Sequence, residues 1–160
     1  MATKRFNNEY DQQAADFCEK YGVVIESVFV RVVKGFPNHP DDNMEHMKFD
    51  VKLYRKDNPE KCMEFPFYGS QHDLDEYNSA KSKGKSVSRT LRDYDILASI
   101  ACETYCPDTI EEFIDEYGYE IKRGGDLARV TNIFNDCRKM HDDLHRIFTD
   151  EELEALCEIQ

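Results

Sequence analysis

MKFDVKLYRK, residues 47–56, sets Met47, Phe49, Val51 and Leu53 against Lys48, Asp50, Lys52 and Tyr54 in strict alternation. Side chains on an extended chain point to opposite faces at every step, so this segment reads as a strand with one face buried and the other wet. Upstream, VVIESVFVRVVK at 23–34 is dense in β-branched residues and reads as a second strand. Downstream, past the turn residues Asp57, Asn58 and Pro59, KCMEFPFYG at 61–69 gives a third, with Pro66 confining its end to an edge or a bulge. Short connections between consecutive strands favour an antiparallel meander.

Outward from the sheet the period changes. Residues 8–21 place Tyr10, Ala14, Phe17, Cys18 and Tyr21 at helical spacing, with an Asn pair in front as N-cap and Gly22 as the left-handed stop. Residues 70–90 are polar, rich in Gly, Ser, Asn and Lys, and read as a long exposed loop. A helix through Tyr94, Leu97, Ala98 and Ala101 ends before Pro107. DTIEEFIDEYGY at 108–119 then starts a short helix capped by Asp108 or Thr109 and stopped by Gly118. The longest element spans 126–148, where Leu127, Val130, Phe134, Cys137, His141, Leu144 and Phe148 form a seam broadened by Ile133, Met140 and Ile147. TDEELEALCEI at 149–159 closes the series. The expectation is one α+β domain over 1–160: helix and meander at 1–69, a basic loop at 70–90, and about four helices at 91–160.

With 160 residues, 40% of them apolar, and ten Phe and nine Tyr, one substantial core is affordable. MATKRFNNEYDQQ at the start has no apolar h-region, and no run approaches a membrane span, so the expected location is cytoplasmic. The six Cys fall mostly on apolar positions and read as reduced core thiols.

The net charge of −12 disfavours nucleic acid and favours a basic partner. It is also segregated. KSKGKSVSRTLR at 81–92 holds five basic residues, Lys81, Lys83, Lys85, Arg89 and Arg92, and no acid, whereas residues 93–120 hold nine acids and no base. An acidic face made of Asp108, Glu111, Glu112, Asp115, Glu116 and Glu120, with Asp93, Asp95 and Glu103 nearby, could occupy a groove of Lys and Arg by imitating phosphates. A solvated helix face is the plain alternative.

Catalytic patterns are incomplete. His141 and His145 in HDDLH have the i, i+4 spacing of a metal pair, but Asp142 stands where metalloproteases need Glu and no third ligand is singled out. On the apolar seam a packed histidine is the commoner outcome. Cys102 and Cys106 lack the second Cys/His pair of a zinc module. KGKS at 83–86 resembles the end of a phosphate loop, yet Ser79 replaces the required leading glycine. No nucleophile elbow occurs. The expectation is a binding protein without cofactor or metal rather than an enzyme.

From Asp93 onward, DYDILASIACE, TIEEFIDEYGYE, HRIF and TDEELEALCEI in succession resemble a family of small proteins encoded by phages and prophages. Phe113, Tyr117, Gly118 and Tyr119 carry the match, extended by Glu151, Leu153, Leu156 and Ile159; the chain departs from it at Glu120, Ile121, Lys122 and Arg123. Most members have no assigned activity, so the resemblance implies a mobile-element setting. Small acidic phage proteins without catalytic motifs are often inhibitors of host defence, anti-CRISPR proteins among them. The leading expectation is therefore an inhibitor that binds a host nucleic-acid-handling complex, possibly a CRISPR effector. The alternatives are a nucleic-acid-binding accessory protein that uses the basic segment, and a metal-dependent enzyme at His141 and His145.

Overall fold

A computed structural model describes residues 9–85 and 91–159, and the statements below concern these residues. The Asn7–Asn8 cap and Arg89 lie outside them. The order is α1 (Glu9–Tyr21), β1 (Val23–Lys34), β2 (Glu45–Arg55), β3 (Asn58–Tyr68), α2 (Gln71–Ser82), α3 (Asp93–Ala101), a single 3-10 turn (Cys102–Thr104), α4 (Ile110–Tyr117), α5 (Asp126–Ile147) and α6 (Asp150–Cys157). This is the α+β arrangement expected: helix, antiparallel sheet in the order β1-β2-β3, then helices. No helix among the described residues is long and apolar enough to cross a membrane.

The alternation in β2 has the consequence it predicts. Met47, Phe49, Val51 and Leu53 are all at most 2% exposed, and they pair across to Val32, Phe29, Ser27 and Ile25 on β1. Burying side chains of this size is worth about 1.5–3 kcal/mol each. The β2–β3 turn is tighter than the sequence suggests, because Asn58 already pairs with Arg55 and begins β3. Pro59 and Pro66 are tolerated because β3 is an edge strand.

The region 70–90 requires correction. It is not a long loop, since Gln71–Ser82 forms α2. Ser70 and Asp73 make a reciprocal capping box, Leu74 is 3% exposed, and Tyr77 packs edge-on against Phe29 at 5.4 Å. Only one short stripe of this helix is apolar, too narrow for a periodicity argument. The Ser-x-x-Asp cap was the available signal.

One cluster of buried residues joins α1, the inner sheet face, α2, α3, the C-terminal half of α5, and α6. Its main polar joint is Arg55, whose guanidinium makes two 2.7 Å bonds to Glu152 on α6 and also donates to the carbonyls of Tyr21 and Ile147. Burial alone would raise the Glu152 pKa, but Arg55 and the Thr149 N–H outweigh it and hold the carboxyl below its usual value. Cys106, Phe113 and Val130 are also buried but lie outside this cluster. Phe113 meets Phe134, and Cys106 meets Cys137, so α4 and the segment before it form a satellite against α5. The expected α5 seam is accordingly interrupted: Phe134 meets Phe113 in the satellite, Leu144 and Ile147 serve the main core, and Leu127 is 53% exposed.

Candidate interaction surface

Helix α4 is short and sharply delimited. Thr109 accepts from the Glu112 N–H at 3.2 Å, and Gly118 ends the helix at φ +69°, where a residue with a Cβ would be strained. Phe113 pins the helix down, with ring centroids 4.9 Å from Tyr117, 5.5 Å from Tyr119 and 5.3 Å from Phe134. Pinning this face turns Glu111, Glu112, Asp115 and Glu116 outward, and all four are exposed. Acids in the first turn also suit the positive end of the helix dipole.

Of the six acids expected to form one face, these four share α4 and the other two flank it. Glu111, Glu112 and Asp115 take part in no ion pair among the described residues. Glu116 accepts from the Tyr105 hydroxyl at 3.0 Å, a bond that raises the Tyr105 pKa. Asp108 is 3.5 Å from Arg138, and Glu120 pairs with Lys122 at 2.9 Å, so neither is as free as its sequence neighbours suggested. Asp93 and Asp95 lie elsewhere, at the start of α3, where burial first and the nearby Asp11 charge raise both carboxyls, partly opposed at Asp95 by Arg92.

The basic residues divide. Lys81 lies in the last turn of α2, and Lys83 and Lys85 follow it, all three exposed. Arg92 is not part of an open basic segment: it pairs with Asp11 at 2.8 Å and lies over the Tyr94 ring. His141 and His145 lie with centroids 4.2 Å apart and ring planes tilted by 39°, but Nε2 of His145 is bonded to the Thr104 carbonyl at 2.9 Å and Nδ1 of His141 faces Asp142. Among the described residues no third ligand joins them. Cys102 is exposed and Cys106 buried; the latter touches Cys137, whose thiol is raised by burial, by Cys106 and by Glu103. Burial, with Asp93, likewise pushes the Cys18 thiol up to about 12, which keeps it protonated at neutral pH.

One feature escaped the sequence reading altogether. A cavity of about 570 Å³ lies between β3 and the α4–α5 satellite. Its walls come from the β1–β2 loop, β3, α4 and α5, and such distant segments leave no joint signature in sequence. Asp42 shapes the loop by accepting from the N–H groups of Met44 and Phe36 and from His46, on whose ring Phe36 stacks at 3.9 Å. Comparison with protein-family models, curated proteins and solved structures finds no match.

Proposed function

We propose that the chain is a phage-type inhibitor that acts in the host cytoplasm by binding a nucleic-acid-handling defence complex, such as a CRISPR effector, through the acidic face of α4. The supporting observation is the charge density of that helix. Glu111 to Glu116 is six residues carrying four carboxylates, all exposed. At a rise of about 1.5 Å per residue that is roughly one charge per 2.3 Å of axis, between the 3.4 Å of a single nucleic-acid strand and the 1.7 Å of a duplex. Phe113 and the two caps hold these charges on a rigid element. A groove built of Lys and Arg to follow a phosphate backbone meets a comparable field here, and the overall charge of −12 steers the encounter.

The test is to immobilise the protein and pass over it a lysate from bacteria carrying active defence nucleases. The expected result is a retained nuclease complex that leaves as salt rises and is displaced by competing duplex DNA. The variant Glu111→Lys/Glu112→Lys/Asp115→Lys/Glu116→Lys should retain its fold by circular dichroism and lose the complex. Retention unchanged by charge reversal, or by competing DNA, would refute the mimicry.

A further inference from the structure

The 570 Å³ cavity falls within the roughly 300–1,000 Å³ range of small-ligand sites. Two groups of aromatic residues line it. On the sheet side, Phe36 and Tyr68 meet edge to face at 5.3 Å; on the helical side are Tyr117 and Tyr119, both in contact with Phe113. Phe36 is stacked on His46 and Tyr119 on Phe113, so one face of each is covered, and a lining this rich in aromatic rings suits a cation.

The ionised side chains that line the cavity are mostly acidic. Its carboxylates are Glu64, Glu103, Asp136 and Asp143, and its one ammonium is Lys139. Lys139 is taken up by Asp143 at 3.0 Å, and Asp143 also receives Arg146 at 3.1 Å. Glu64, Glu103 and Asp136 therefore have no ion-pair partner among the described residues. Tyr68 and Tyr117 beside them are both raised chiefly by burial; at Tyr117 Cys137, Glu116 and Glu103 add to the rise, whereas at Tyr68 Arg31 lowers the pKa more than Asp136 raises it.

We propose that this cavity receives a guanidinium group, an arginine side chain presented by a partner protein. A guanidinium is flat enough to stack on the rings and carries a fork of N–H donors for the carboxylates, whereas an ammonium is a compact, strongly hydrated charge that does neither as well. The inference deepens the reading of the chain as a binder of basic surfaces: the α4 acids supply the long-range field, and the cavity supplies a fixed anchor.

The probe is the peptide acetyl-Gly-Arg-Gly-amide, titrated into the full chain and followed by the NMR signals of Tyr68, Tyr117 and Tyr119. Saturable shifts at these rings are expected. The citrulline peptide, the same shape without the charge, should bind about tenfold more weakly or worse, and the Lys and Leu peptides should also be weaker. Glu103→Gln/Asp136→Asn, two conservative changes in the lining, should weaken the Arg peptide by about tenfold, while the fourfold α4 variant, which leaves the cavity carboxylates in place, should weaken it by less. Equal binding of the citrulline, Lys or Leu peptide, or shifts confined to the outer face of α4, would overturn the assignment. Because the probe needs no host complex, its failure is separable from failure of the inhibitor reading.

Discussion

The main body and the α4–α5 satellite are built from the same kinds of residue but treat charge in opposite ways. In the main body, carboxylates are used as joints. Glu152 is clamped by Arg55, Asp11 holds Arg92, and Asp73 caps α2. In the satellite the aromatic residues turn inward around Phe113 and the acids turn outward with few cations to meet them. The difference is one of commitment: the main body engages its carboxylates in the fold, and Glu111, Glu112 and Asp115 on α4 have no ion-pair partner among the described residues.

The largest expected effect lies at the Arg55 joint. Arg55→Leu leaves Glu152 buried without its partner and frees the carbonyls of Tyr21 and Ile147, so it should cost about 3–5 kcal/mol in urea unfolding. Adding Glu152→Leu should recover part of that loss, because the stranded charge is gone while the carbonyls remain unpaired. A single variant as stable as the parent would mean that the main body does not depend on its charges in this way.

A second pair of variants asks whether the two regions are separate. Leu97 is fully buried in the main cluster, and Leu97→Ala should cost about 2–5 kcal/mol of global stability. Phe113→Ala removes the anchor of α4, which lies outside that cluster, so its first consequence should be local: faster amide exchange over residues 110–119, with a smaller shift of the global midpoint. Equal global shifts with unchanged exchange in α4 would merge the two regions into one cooperative unit.

How far the sequence discloses this division depends on the range of the forces involved. The strands, α1 and α4 were legible because their alternation, caps and glycine stops act within a few residues: Phe49 and Leu53 in β2, Gly22 after α1, Thr109 and Gly118 around α4. Helix α2 was missed because its one apolar stripe, Leu74 and Tyr77, is narrow and its surroundings are polar. The acids of α4 were found as a group for the same local reason. Their neighbours were not: pairing of Arg92 with Asp11 spans 81 positions, and the cavity brings Phe36 to Tyr117 through tertiary packing alone. The interruption of the α5 seam belongs with these, since nothing in its periodicity says that one helix serves two clusters.

The smallest effect, and the one that resolves most, is the pH dependence of the main body. Glu152 is held below its usual pKa, so the folded state binds its proton less readily than the unfolded chain does. Its contribution is complete above the unfolded value of about 4.3 and is lost as pH falls through the folded one. Glu152→Gln should therefore be most damaging near pH 7, with the gap to the parent narrowing as pH falls below about 4.3 toward the folded pKa. Asp93 runs the other way. Burial and Asp11 raise its carboxyl, the folded state takes up the proton more readily, and a penalty accumulates as pH rises above about 3.9. Asp93→Asn should match the parent in acid and exceed it slightly in stability at pH 7. Thermal midpoints of the three proteins from pH 3 to pH 7 decide this: two difference curves of opposite sign, both closing toward acid, are what an internally engaged set of carboxylates requires. Flat curves would mean that the charges of the main body are as uncommitted as those on α4.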